Sequence, residues 1–581
     1  MIVMFDGFDE ISPDYREIVI DLVIVLSNST IKQNLTALHL AAAGGYLDVV
    51  QWLVEHGKAN VEATDDDGWS VLRYAVQKNK LDVVQWLVEH GKANVEATCK
   101  YGNTVLHRAV QWNKLDIVQW LVEHGKANVE ATDNYYGRTV LHWAAQLNKW
   151  DVVQWLVEHG KANVEATNND GRTMLHYAAQ ENKWDVVQWL VEHGKANVEA
   201  TDDDGWSVLR YAVQKNKLDV VQWLVEHGKA NVEATDNDGW TVLHWAAQLN
   251  KWDVVQWLVE HGKANVEATD NNGRTVLHWA ALYNEWDVVQ WLVEHGKANV
   301  EATDNDGWSV LHYAAQKNKL DVVQWLVEHG KANVEATNNY GRTMLHYAAQ
   351  ENKWDVVQWL VEHGKANVEA TDNNGRTVLH YAARENKWDV VQWLVEYGKA
   401  NVEATNNYGW TVLHYAAREN KWDVVQWLVE YGKANVEATN NDGWTVLHWA
   451  ARGNLDVVQW LVEHGKANVE ATDNNGQTVL HWAARGNLDV VQWLVEHGKA
   501  NVEATDNDRQ TVLHWAAQSW QDKWDVVQYL VEHGADVNAT NIDGKSPLNL
   551  AEEREHKKAT EYLKKSLNIK KKDSRICRLI N

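Results

Sequence analysis

Twenty-seven histidines and 81 acidic residues among 581 could supply metal ligands or an acid–base pair, and their spacing decides whether either is built. Thirteen histidines follow leucine, as His244 does in Val-Leu-His-Trp, thirteen occupy the slot of His261 in Glu-His-Gly, and the last is His556. The two slots lie seventeen residues apart within one unit, no His-x-x-x-His or Cys-x-x-Cys occurs, and the two cysteines, Cys99 and Cys577, are far apart. Metal sites with recognisable spacing need closer donors than that. The carboxylates also recur once per unit, as Asp253, Glu260 and Glu267 do, which is how a solvated face looks. No Gly-x-Ser-x-Gly, Cys-His pairing or paired-carboxylate context stands out. The expectation is a chain that is not an enzyme and that takes no metal and no cofactor.

One segment differs in kind. Ile2-Val-Met-Phe-Asp6-Gly-Phe-Asp9-Glu10-Ile-Ser12 is an apolar run ending in acids. It resembles the Walker B segment of NACHT-type signalling ATPases, whose strand end holds carboxylates near Mg²⁺ and the attacking water. By that resemblance Asp6 and Asp9 would serve the metal and Glu10 would polarise water. A Gly-x-x-x-x-Gly-Lys-Ser/Thr phosphate cradle is absent from the chain, so residues 1–30 are expected to be a Walker B-like remnant or an N-terminal cap, not a working motor.

The elements that must position everything else come from a repeat. Thr or Ser recurs at intervals averaging 34 residues from Thr36 to Ser546, about sixteen units, and a complete unit runs from Thr241 to Arg274. A period that short suits one supersecondary element stacked on its neighbours. Thr241 is placed to cap a short helix carrying Leu243, Ala246 and Ala247 on one stripe. The segment from Asn250 to His261 carries Val254, Val255, Leu258 and Val259 at helical spacing, with Gly262 just past its end. The rest, Lys263 to Gly273, reads as an extended finger with a tight turn.

At these residues the array resembles the ankyrin-repeat family, nearly intact at Val526 to Asn538 and at Gly544 to Leu550. The resemblance implies an all-α solenoid of paired antiparallel helices with extended β-turn fingers, spanning residues 34–567 and followed by a basic tail, 568–581. It also implies that the Leu-His imidazole bonds near the capping threonine. Two departures stand out. Val, Met or Ala replaces the family's proline everywhere except Pro547, and an extra lysine, as in Gly262-Lys263-Ala264, lengthens the unit. In two units arginine, Arg73 and Arg210, fills the histidine slot.

Composition narrows the partners. A formal net charge of −26 repels phosphates, so nucleic acid is not the expected partner. The longest apolar run, Ile18 to Leu26 broken by Asp21, is too short to span a bilayer. Two cysteines make no disulfide framework, which points to a reducing compartment, the cytoplasm, with the nucleus as the alternative. Of 36 tryptophans, 34 fall in four slots of the repeat, and most are expected to pack between units. The slot before the capping threonine is the exception, because the resemblance places it on the finger side of a concave groove where partners bind. It holds Trp69, Trp206, Trp240, Trp308, Trp410 and Trp444, and Arg138, Arg172, Arg274, Arg342 and Arg376. Trp and Arg dominate binding hot spots. The expected function is therefore a protein-recognition scaffold that binds other proteins along this groove. The alternative is the ligand-sensing fragment of a NACHT-ankyrin signalling ATPase lacking its P-loop. Sequence says nothing of oligomeric state.

Overall fold

The computed structural model describes residues 35–580, with side chains described as far as residue 568. The Walker B-like residues Asp6, Asp9 and Glu10 lie outside the described residues. Thirty-two helices and no strand are present among the described residues, alternating short and slightly longer from Ala37–Gly44 to Lys557–Ile580. They fall into two compact units divided between Ala298 and Asn299.

Each unit repeats one local solution. In the first, Thr241 is extended (φ −79°, ψ 167°) and caps Val242–Gln248, a seven-residue helix of about two turns. Asn250 then turns left-handed at φ 51°, so the second helix, Trp252–Glu260, starts two residues later than the apolar spacing suggests. Asparagine tolerates that conformation better than most side chains. Val242, Leu243, Ala246, Ala247, Val254, Val255 and Leu258 are all buried. The alanines keep the first helices slim, and within each unit first helices pack against the first helices of the next repeat more extensively than second helices do. The second unit has the same layout, with Val412–Arg418 followed by Trp422–Glu430.

The extra lysine has a structural role that the repeat pattern does not show. Lys263, not Gly262, takes the left-handed position, at φ 58°, and its Nζ donates to Glu260 O at 2.6 Å. An ammonium there satisfies a carbonyl at the helix C-terminus. The preceding glycine answers to a different constraint, since a Cβ on Gly262 would sit 2.7 Å from Leu258 O. In the last full unit no lysine follows, and Gly534 itself is left-handed at φ 104°.

One departure near the end of the chain also acquires a role. Asp522, in the inserted Ser519-Trp520-Gln521-Asp522, accepts from the N–H groups of Lys558 (2.9 Å) and Ala559 (3.2 Å) and so caps the final helix. That helix continues through Ile580, so the backbone of the basic segment is helical. No helix among the described residues is long and apolar enough to cross a membrane.

Candidate protein-interaction surface

Fingers and first helices together make the surface on which the Trp and Arg slot lies. Each finger is held by one Asp or Asn that the repeat pattern leaves inconspicuous. Asp270 Oδ1 accepts from the N–H groups of Asn272 and Arg274, both at 2.9 Å. Its Oδ2 accepts from Arg274 Nε (2.8 Å) and from Trp279 Nε1 on the first helix (3.2 Å). Gly273 closes the turn at φ 80°, a conformation glycine reaches at no steric cost. Fingers also join one another, as in Asn271 N–H donating to Asp238 O at 3.0 Å.

This carboxylate or amide is matched to the aromatic residue that follows histidine on the first helix. Tryptophan there is a donor only and meets Asp at Asp133–Trp143, Asp236–Trp245 and Asp506–Trp515. Tyrosine can donate or accept, so it suits either: it donates to Asp at Asp65–Tyr74, Asp202–Tyr211, Asp304–Tyr313 and Asp372–Tyr381, and accepts from Asn at Asn168–Tyr177, Asn338–Tyr347 and Asn406–Tyr415. Only tryptophan requires the carboxylate. Burial pulls the Asp133 carboxyl upward, and hydrogen bonds from Tyr136 N–H, Trp143 Nε1 and Arg138 outweigh it and hold it below the usual carboxylate range. One repeat breaks the match. Asn440 faces Trp449, and the buried Asn440 Nδ2 and Trp449 Nε1 both lack a partner. Replacing Asn440→Asp gives that indole an acceptor, and thermal unfolding should show the chain stabilised by about 1–3 kcal/mol, the cost of an unmet buried donor. An unchanged or lowered stability would refute the pairing rule.

The capping threonine and the Leu-His histidine form a second recurring circuit. Thr241 N–H donates to His244 Nδ1 (3.1 Å), and the Thr241 hydroxyl lies 2.9 Å from the same nitrogen. Nδ1 is then an acceptor, so Nε2 carries the proton and donates to Arg274 O in the next repeat, at 3.2 Å. The bond near the threonine that the resemblance implies is present, and the histidine also ties each repeat to its successor. Burial holds these rings neutral, pushing His107, His142, His176, His346, His380 and His414 down to about 4. Where arginine fills the slot this circuit cannot form, because guanidinium accepts nothing. Arg210 instead lies between Trp206 and Trp245, its Cζ 3.1 and 3.8 Å from the ring centroids, and burial pushes it down to about 10.

The eleven slot residues are packed against this framework. Trp240 is buried, its ring 4.5 Å from Trp245 and 4.0 Å from Trp279 of the next repeat. Trp69, Trp206, Trp308, Trp410 and Trp444 are half-buried. Trp308 packs tilted on Tyr347 at 4.1 Å and Trp410 on Trp449 at 4.5 Å, Trp444 meets Trp482 edge to face at 4.6 Å, and Trp69 lies under the Arg73 guanidinium. The arginines are half-buried too, and most are paired with the finger carboxylate. Arg138 meets Asp133 at 2.9 Å, Arg274 meets Asp270 at 2.8 Å, and Arg376 meets Asp372 at 2.6 Å. Arg172 reaches Asp202 of the next repeat at 3.6 Å, and Arg342 lies over Tyr381 with its Cζ 4.6 Å from the centroid. Some of these side chains bridge repeats, as Trp240, Trp308, Trp410, Trp444, Arg172 and Arg342 do, and others, such as Arg138, Arg274 and Arg376, brace their own finger.

More exposed aromatics stand at the finger tips. Tyr101, Tyr135, Tyr136, Tyr340 and Tyr408 are all exposed, Tyr135 to 72%. The signal in the sequence is tyrosine just before the turn glycine, as in Asn-Tyr-Gly at 340 and 408, where other units have Asp or Asn. Among the described residues, no group of three His, Cys, Asp or Glu is placed to hold a metal ion.

Comparison with protein families now decides the lineage of this surface. A family of ankyrin repeats in three copies matches residues 13–99, 92–168, 160–236, 228–304, 296–372, 365–440 and 433–506. A second, of ankyrin repeats in many copies, matches 494–551. The chain belongs to the ankyrin-repeat family. The first match of the ankyrin array begins at residue 13, upstream of Asn34 where the repeats are expected to start, and Asp6, Asp9 and Glu10 lie outside it. No curated protein matches the chain. Ankyrin repeats are a general protein-interaction module, and such proteins are typically scaffolds without catalytic activity.

Proposed function

We propose that this ankyrin array is a protein-recognition scaffold whose partner surface combines the half-buried Trp and Arg edges with the exposed tyrosines of the fingers. The observation that carries the reading is the rigid aromatic floor. Trp308, Trp410 and Trp444 pack against aromatic rings of the next repeat, and exposed Tyr340 and Tyr408 stand at the tips of the fingers beside it. Pre-ordered aromatic side chains give up little entropy on binding, which is why they make strong anchors. About sixteen near-identical units offer repeated contacts, so that several weak sites engaged at once reach high avidity.

The test must separate binding from folding. Trp240 packs against the next repeat and Arg274 braces its own finger, and truncating them would disturb the array itself. Exposed tyrosines do not share that drawback. In the variant Tyr101→Ser, Tyr340→Ser and Tyr408→Ser, thermal unfolding should stay within about 0.5 kcal/mol of the parent, as for surface changes generally. Proteins retained by the immobilised parent should be lost or weakened by about tenfold or more on the variant, the loss expected for anchors of this type. Retention of the same proteins at the same strength would reject the finger face as the partner surface.

A further inference from the structure

The opposite side of the repeat, formed by the second helices, carries a feature that packing does not require. The residue that opens the second helix is Leu in some repeats and Trp in others, and both make the same nine-residue helix, as Leu320–Glu328 and Trp388–Glu396 show. Tryptophan here is thus an addition to a fold that leucine already satisfies. It is also only partly covered, Trp388 being 38% exposed.

Where the slot is Trp, open depressions of about 450 Å³ form with the second helix of the following repeat. One is lined by Trp252, Asp287, Gln290, Trp291, Glu294 and His295. The equivalent depression in the second unit is lined by Trp388, Asp423, Gln426, Trp427, Glu430 and Tyr431. The repeat before it supplies another, where Trp354 and Trp393 stand nearly perpendicular with ring centroids 6.1 Å apart. Every one of these linings holds two carboxylates, two indoles, and no lysine or arginine. Lys399 Nζ donates to Glu396 O at 2.5 Å and Lys433 Nζ to Glu430 O at 2.6 Å, and Lys353 and Lys387, which precede Trp354 and Trp388, are not among the lining residues.

We propose that these depressions are a ladder of cation-binding pockets that captures the arginine or lysine side chains of an extended basic segment on a partner protein. The indole faces attract a guanidinium or ammonium group through the ring quadrupole, and the flanking carboxylates neutralise it. A chain of net charge −26 draws such a partner in. Register follows from geometry. Packed helices lie about 10 Å apart, and an extended or polyproline-type segment advances about 9–10 Å in three residues. Adjacent pockets, such as those at Trp354 and Trp388, therefore select a cation at every third residue. This surface is separate from the finger face, and either can fail without the other.

The probe is a peptide of four Arg-Pro-Pro triplets, whose polyproline geometry puts every arginine on one side. Its control has the same composition with the arginines in one central block. Calorimetry on the full chain should show the triplet peptide binding at least about tenfold tighter than the block peptide, because only the former reaches several pockets at once. Two variants test the assignment. The first neutralises the linings with Asp389→Asn, Glu396→Gln, Asp423→Asn and Glu430→Gln, all at exposed positions. The second, Trp354→Leu with Trp388→Leu, uses the residue other repeats carry. Both should erase the preference for the triplet peptide, whereas the tyrosine finger variant should keep it. Equal affinity for the two peptides, or an undiminished preference in both variants, would overturn the proposal and leave only bulk charge attraction.

Discussion

Lowering the pH from 6.5 toward 4 should unfold this protein cooperatively, with uptake of several protons. The cause is the capping histidine. His107, His142, His176, His346, His380 and His414 are held near 4 by burial, whereas an exposed histidine in the unfolded chain titrates at about 6.5. Between those values the unfolded state binds more protons, so stability rises with pH in that window. It is complete above about 6.5 and lost as pH falls through about 4. Each such histidine contributes about 1.4 kcal/mol per pH unit, and six act together, a sum comparable with the whole stability of an ordinary domain. Geometry explains why protonation is so costly. A proton on Nδ1 of His142 would face the Thr139 N–H that now donates to it at 3.1 Å, and it would place a charge in a site that is 1% exposed. Denaturant unfolding at pH 7.0, 6.0 and 5.0 with potentiometric proton counting checks this. A midpoint independent of pH over that range would show that the histidines do not govern stability.

The second large effect is expected from one methyl group. Gly262→Ala should destabilise the array by about 2–4 kcal/mol, the range of a forced overlap in a packed site together with a broken backbone bond. The new Cβ would lie 2.7 Å from Leu258 O and 3.2 Å from Leu258 Cα. That oxygen accepts from Ala264 N–H at 2.9 Å, so moving it opens the last turn of the helix and the start of the finger. Since Gly262 is not the left-handed residue, adding Lys263→Gly should not rescue it. Thermal unfolding of the single and double variants decides the point, and rescue by the second change would mean that the cost is backbone strain at 263.

Much of this was legible in one dimension. The 34-residue period, the capping threonine, the paired helices and the finger follow from spacing and residue type, because each is a local preference repeated until chance is excluded. The contact set was less legible. The Trp and Arg slot is visible in sequence, but whether a tryptophan such as Trp240 faces solvent or lies 4.0 Å from Trp279 depends on the neighbouring repeat. The finger tyrosines carried a sequence signal, tyrosine before the turn glycine, that is weak beside 36 tryptophans.

Sequence by itself therefore determined the repeat, its helices and its family, since hydrophobic period and turn chemistry act over a few residues. Only the tertiary structure decided what the conspicuous residues do. It placed each histidine between its own threonine and the next repeat's carbonyl, and it showed that Gly262 is needed for clearance while Lys263 makes the left-handed turn. It also showed that tryptophan on the first helix needs an Asp in the finger, whereas tyrosine accepts from Asn or donates to Asp. These are constraints between groups three to thirty residues apart, set by hydrogen-bond valence and by contact distances, and a linear pattern does not contain those distances.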